Sequence, residues 1–172
     1  VHFSGLSPEK DGIWCVDLGL DRILFYGIDV HTMTLSHRSE RDIMLPKGTG
    51  PRHFVFQPGN AHRMYVVCEL SSEVFAVNIL KEGCQILQRI SSLRSPNDKS
   101  SCAAIKCSED GRFLYVSNRG DDSIAVFRID PKNGLLHLVQ IEKAGGRTPR
   151  DILVLKDMLL SANQDSNTIT YF

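Results

Sequence analysis

Side chains suited to acid–base and anion chemistry recur along the 172-residue chain at intervals of roughly 50 residues. Glu69 supplies a carboxylate and His2 an imidazole, and either group can take a proton from a water molecule. Arg52 and Arg119 supply guanidinium groups, which can stabilise an oxyanion or hold an acidic group in a bidentate contact. Brought together, these four residues could bind an anionic compound and direct water at its carbonyl carbon.

The segments that carry these residues align as four repeats of one pattern of short strands. In the third repeat a strand ends near Ser108, a turn follows at Asp110-Gly111, and further strands are predicted over 113–118, 123–130 and 135–142. Apolar and polar residues alternate in these strands, which argues against amphipathic helices. Four antiparallel strands in each stretch of about 45–50 residues are typical of a β-propeller blade.

The predicted fold class is therefore all-β: a partial β-propeller of four-stranded antiparallel blades. We expect blades over approximately 2–50, 51–101, 102–148 and 149–172, with the last one incomplete. Only about three and a half blades of this length fit into the chain, whereas propellers usually close with four to eight. The expectation is that the chain is part of a longer protein, with a ring completed by two copies as the alternative.

In a propeller, the first strand of each blade lines the central channel, and the loop between the second and third strands opens on the same rim. Residues that open the first strand or close the second should therefore converge at that rim. This places Arg150 there as a further anion contact. Asn118 and Gln164 are amides that either contact a substrate or satisfy backbone groups of the channel loops. By strand alternation, His53 is expected to point away from the rim that its neighbour Arg52 faces.

The composition argues against several other functions. The 20 Lys+Arg balance the 20 Asp+Glu, which disfavours binding to nucleic acid or to an anionic membrane surface. The apolar stretches are much shorter than the ~20 residues of a membrane helix. Five cysteines without CxxC spacing, and no glycosylation sequon, favour a reducing compartment, so a cytoplasmic protein is predicted. No cofactor and no metal is expected, because arginines crowd the few carboxylates that could hold calcium.

Four segments resemble the seven-bladed lactonase propellers: GPRHFVFQP, YVVCELSSEV, DGRFLYVSNRGDDSIAVF and PRDILV…SANQDSNTI. That family includes a 6-phosphogluconolactonase and the fungal 3-carboxymuconate lactonizing enzyme. The resemblance extends over essentially the whole chain, which would correspond to the C-terminal half of a member. It implies a seven-bladed ring with active-site residues at His2, Arg52, Glu69 and Arg119.

The sequence departs from the family pattern at three positions. Cys68 stands where an Asn usually precedes the glutamate. Ala104 and Lys106 stand where an acid and a histidine near the channel are usual. These two changes bear on substrate choice and on activity itself.

On this resemblance, the expected function is hydrolysis of an anionic sugar lactone such as 6-phosphogluconolactone, with Glu69 or His2 as the base and arginines on the anion and the oxyanion. One alternative is a cycloisomerase that closes a muconate-type polycarboxylate at the same site. Another is a non-catalytic propeller that serves as an interaction platform, which the changes at Ala104 and Lys106 favour and the retained charged cluster opposes. The expected partners are a small anionic lactone or polycarboxylate and the remaining blades or a second copy, with no nucleic acid and no membrane.

Overall fold

Sixteen β-strands in four antiparallel sheets make up the structure, a computed structural model that describes residues 1–172. The first sheet contains β1 (Phe3–Leu6), β2 (Gly12–Asp17), β3 (Arg22–Asp29), β4 (Thr34–His37) and β5 (Ile43–Met44). The second contains β6 (Pro51–Gln57), β7 (Asn60–Cys68), β8 (Glu73–Ile79) and β9 (Cys84–Ser91). The third contains β10 (Ser101–Cys107), β11 (Phe113–Arg119), β12 (Ser123–Ile129) and β13 (Leu136–Lys143). The fourth contains β14 (Pro149–Val154), β15 (Leu159–Asn163) and β16 (Thr168–Tyr171).

Within each sheet the strands lie side by side in chain order, and β4 and β5 share β3 as their partner. Two single-turn 3-10 helices, Ser39–Arg41 and Gln164–Ser166, are the only helical elements. The all-β fold class predicted from the repeats is confirmed. No helix of the chain has the length and apolar character needed to cross a bilayer.

Three apolar clusters hold the sheets together, one between each pair of consecutive sheets. Strand β7 shows how: Met64 and Val66 pack toward the first sheet, whereas Tyr65 and Val67 pack toward the third. Because this strand is buried on both faces, its residues form a continuous apolar run rather than a clean alternation. The sheets therefore stack face to face, and the second and third sheets each contribute to two apolar clusters.

The first strand of each sheet, β1, β6, β10 or β14, forms one edge, and these four inner strands contact one another in chain order. Three of them begin with a β-bulge, an extra residue that has no partner in the neighbouring strand. In β6 the extra residue is Arg52, in β10 it is Ala103 or Ala104, and in β14 it is Arg150. A bulge re-aims the side chain that it carries and releases backbone groups from the ladder. Both effects shape the site.

Candidate functional site

Glu69 lies between two arginines where β6 begins and β7 and β11 end. Arg52 Nε donates a hydrogen bond to Glu69 Oε2 at 2.8 Å. Arg119 Nη2 lies 2.9 Å from Glu69 Oε1. The structure thus brings together three of the four residues on which the sequence-based site depends. We call Arg52, Glu69 and Arg119 the charged triad.

The bulge in β10 fixes the two arginines from the other side. Arg52 Nη1 donates to the carbonyl oxygen of Ala103 at 2.9 Å, and Arg119 Nη2 donates to that of Cys102 at 3.0 Å. These carbonyl groups are available because the ladder between β10 and β11 is interrupted at this point. The triad therefore joins the second sheet to the third, and neither guanidinium group is free to swing away.

The triad is largely shielded from solvent and carries one net positive charge. Arg52 is 4% exposed, and the side chains of Glu69 and Arg119 are 21% and 15% exposed. Burial would raise the pKa of Glu69, but the hydrogen bond and charge of Arg119, together with Arg52, outweigh burial and hold the pKa below its ordinary value. Glu69 is therefore ionised at neutral pH, with both oxygens engaged in ion pairs.

Each guanidinium group keeps one terminal nitrogen that makes no hydrogen bond to the protein. These are Arg52 Nη2 and Arg119 Nη1, and neither atom is among the buried polar atoms that lack a partner. Both atoms therefore keep some solvent-exposed surface. Two donors held on a cationic cluster suit an oxyanion or an acidic group.

Two imidazole rings stand beside the triad. The ring of His2 lies 5.4 Å from that of His53, measured between centroids. Burial and the charge of Arg52 lower the pKa of His2, so its ring is neutral at pH 7. His53 lies against Arg52, so the prediction that it points away from its neighbour is wrong. The bulge at Arg52 adds one residue to the strand and reverses the alternation from which that prediction was made.

Arg150 and Gln164 lie together on the fourth sheet, apart from the triad. Arg150 Nη1 donates to Gln164 Oε1 at 3.0 Å, and both side chains are exposed. Arg150 is the extra residue of its bulge, as Arg52 is of the bulge in β6. The pair makes no contact with Glu69, so a ligand touching both would have to extend from one sheet to another.

Asn118 is fully buried, contrary to its predicted contact with a substrate. Its side chain is 0% exposed and bonds to Ser92 and Ser123, with Ser92 Oγ at 2.7 Å from Asn118 Oδ1. The loop after β9 supplies Ser92 and covers the position. Asn118 therefore stabilises the connection between sheets, and we do not count it among the ligand contacts.

Of the departures from the family pattern at Ala104 and Lys106, only Lys106 carries a charged group at an exposed position. Ala104 is 0% exposed and packs with Ile152 in the apolar cluster between the third and fourth sheets. Lys106 Nζ lies 3.8 Å from Asp151 Oδ1, and both side chains reach solvent. The chain contains no group of three or more His, Cys, Asp or Glu side chains that could hold a metal ion.

Stacked antiparallel sheets of three to five strands, whose inner strands contact one another, have the architecture of β-propeller blades. The family described as "Lactonase, 7-bladed beta-propeller" matches residues 1–172. The chain belongs to this lactonase family, as its motifs indicated.

Relatives with known names support this assignment. The 6-phosphogluconolactonase of Bacillus subtilis (strain 168) is 33% identical over 177 residues, which cover 100% of this chain and 49% of that protein. The 6-phosphogluconolactonase of Formosa agariphila is 36% identical over 177 residues, with coverage of 100% and 50%. The solved structure of a periplasmic gluconolactonase from Pseudomonas aeruginosa matches with a TM-score of 0.92 at 30% identity, covering 100% of this chain and 49% of that one. The chain spans about half the length of the curated relatives it matches.

Proposed function

We propose that the protein containing these residues hydrolyses a phosphorylated sugar lactone such as 6-phosphogluconolactone. The observation that carries the proposal is the charged triad, with two free guanidinium donors, in a chain of the lactonase family. Two relatives that match the whole chain are named 6-phosphogluconolactonase, which supports this substrate class.

The reaction adds water to the lactone carbonyl carbon, which places a negative charge on the carbonyl oxygen. The ring C–O bond then breaks, and the ring oxygen leaves as a hydroxyl group after it receives a proton. Arg119 Nη1 and Arg52 Nη2 are the donors positioned to stabilise the oxyanion. Their ion pairs with Glu69 hold them in place, so little reorganisation is needed as the charge develops.

His2 is a better candidate than Glu69 for the base that activates water. Glu69 is a weak base, because its pKa is depressed and both of its oxygens face arginines. Burial and the charge of Arg52 lower the pKa of His2, so its ring is neutral at pH 7 and can accept a proton from water. In this assignment Glu69 orients the arginines and His2 takes the proton.

Arg150 with Gln164 is the proposed contact for the phosphate group. A guanidinium group binds phosphate through paired N–H donors. The hydrogen bond that Arg150 Nη1 donates to Gln164 Oε1 orients the guanidinium group of Arg150. Because the pair lies on the fourth sheet and the triad joins the second and third, the arrangement suits a substrate that carries its anionic group away from the reacting carbonyl.

The test is hydrolysis of freshly prepared 6-phosphogluconolactone by the complete protein, measured above the spontaneous rate. Arg119→Ala should lower kcat/KM by about 100-fold or more, the usual cost of an oxyanion donor. Arg119→Lys keeps a positive charge beside Glu69 and should also lose most of the rate, which separates catalysis from folding. Arg128→Ala is the matched control, because Arg128 is exposed near the opposite end of the third sheet. No acceleration by the folded wild type, or full activity in Arg119→Ala, would contradict the proposal.

A further inference from the structure

Arg52 contacts the ring of His53 on its face. Arg52 Nη1 lies 3.3 Å from His53 Nδ1 and 3.1 Å from His53 Nε2. The two ring nitrogens flank Cε1, and their lone-pair and N–H directions diverge. An atom in the ring plane at nearly equal distances from both would overlap Cε1. Arg52 Nη1 therefore lies over the ring face, as guanidinium groups do when they stack on flat side chains.

Other side chains complete the packing around His53. Its centroid lies 4.9 Å from that of Phe3, at an interplanar angle of 52°, and 5.4 Å from that of His2, at 65°. Neither ring nitrogen makes a hydrogen bond to any group apart from the stacked Arg52. A half-buried polar ring whose two in-plane positions are both unpaired is poorly satisfied without a ligand or water.

The ring is also neutral over the working pH range. Burial lowers the pKa of His53 to about 4, assisted by the charges of Arg52 and, when protonated, His2. The charge of Asp151, on β14, raises the pKa of His53, and the charge of Lys106, on β10, lowers it. A neutral imidazole carries one N–H donor and one nitrogen acceptor.

We propose that His53 contacts the substrate through its ring edge and selects a lactone that carries hydroxyl groups. The inference rests on the proposed function and specifies the substrate class at the same site. A hydroxyl group donates one hydrogen bond and accepts others, which matches a group that itself offers a donor and an acceptor. A carboxylate only accepts, and its preferred partners are the arginines of the triad. His53 thus favours a sugar lactone over a muconate-type polycarboxylate.

The experiment compares two ligands that differ only in their hydroxyl groups. One is 6-phosphogluconate, the hydrolysis product, and the other is 6-phosphonooxyhexanoate, the same chain without its four hydroxyls. Binding to the complete protein is measured by isothermal titration calorimetry for the wild type and for His53→Phe. Phenylalanine keeps a flat ring under Arg52 and removes both nitrogens.

His53→Phe should weaken the binding of 6-phosphogluconate by about tenfold or more, because a hydroxyl loses its partner in a partly desolvated site. It should change the binding of 6-phosphonooxyhexanoate by less than about twofold. His53→Gln, which restores a neutral donor and acceptor, should recover part of the loss. In the lactonase assay, the effect of His53→Phe should fall on KM more than on kcat.

Equal weakening of both ligands would overturn the inference, because it would show that the substitution disturbs the site as a whole. Unchanged binding of 6-phosphogluconate would overturn it as well. Either result can occur in an enzyme whose wild type hydrolyses 6-phosphogluconolactone, and the proposed function would then stand without this inference. A folded wild type that neither hydrolyses the lactone nor binds the product would instead overturn the proposed function, and the inference with it.

Discussion

Neutralising Glu69 tests whether one carboxylate holds the charged triad together. Glu69→Gln keeps the shape of the side chain but removes its charge. Two guanidinium groups, now contacted at 2.8 and 2.9 Å, would then face one another without an anion between them. Arg52 cannot escape to solvent, since it is only 4% exposed and bonded to the Ala103 carbonyl.

The expected loss is a sizeable part of the free energy of unfolding. Unit charges ~4 Å apart attract by about 4 kcal/mol at an effective dielectric constant of about 20. Desolvation offsets part of that attraction, and removing one partner of a buried pair costs about 3–5 kcal/mol. Because the Glu69 side chain is 21% exposed, solvent screens the pair, and we expect a loss of about 2–4 kcal/mol.

The loss should depend on pH in a defined direction. The arginines hold the pKa of Glu69 below its ordinary value of 4.5 in the folded protein, so the folded state binds its proton less readily than the unfolded state. A depressed carboxyl pKa contributes stability above the unfolded value, and that stability is lost as pH falls through the folded value. The difference in the free energy of unfolding between wild type and Glu69→Gln should therefore be largest at pH 7 and decrease below pH 4.5.

The assay is urea unfolding of the complete protein, followed by circular dichroism at pH 7 and at a series of lower pH values. The control is Glu73→Gln, the same substitution on the same sheet. The Glu73 side chain is 17% exposed, close to the 21% of Glu69, and pairs with Arg89 at 2.7 Å. Glu73 has a single arginine partner, and that partner is 51% exposed and can move into solvent, so the expected loss is about 1 kcal/mol. Equal effects of the two substitutions, or a loss in Glu69→Gln that persists unchanged in acid, would refute the reasoning.

Two further substitutions test how the second and third sheets are joined, and urea unfolding measures both. Asn118→Ala should cost about 2 kcal/mol or more, because Ser92 Oγ and other buried groups lose their partner; a loss below about 0.5 kcal/mol would show that this network is dispensable. Gly120→Ala should cost about 2–4 kcal/mol, since its φ is +81° and a Cβ would collide with the Lys99 carbonyl. Gly48→Ala has a φ of +82° with nothing within 4 Å and should cost only about 1 kcal/mol, so similar losses at both glycines would exclude the collision.

The strands of this fold could be predicted because their signals are local. Turn residues and period-2 alternation predicted strands over 113–118, 123–130 and 135–142, and the structure has Phe113–Arg119, Ser123–Ile129 and Leu136–Lys143. Each boundary depends only on residues a few positions away, such as Asp110, which accepts hydrogen bonds within its own turn. The equivalence of the repeats then places Arg52, Glu69 and Arg119 at one end of the sheets.

The environment of individual side chains was harder to predict because it depends on distant parts of the chain. His53 lies on the side that alternation excludes, since the bulge before it is defined by the pairing of β6 with β7. Asn118 is buried under Ser92, which is 26 residues away in sequence. Ala104 packs on Ile152 of the next sheet. None of these partners is visible in the local pattern.

In three of the inner strands, the bulge divides the strand into two parts that have different roles. Beyond the bulge, antiparallel pairing with the second strand fixes the position of the blade. At the bulge, the extra residue has no partner in the neighbouring strand, and in β6 and β14 it is an arginine. Arg52 is buried in the charged triad, whereas Arg150 is exposed. Exchanging Arg150 would change the groups offered to a ligand without removing a backbone hydrogen bond between strands. A propeller built this way can acquire a new ligand by changes at a few strand openings, while its architecture stays as it was.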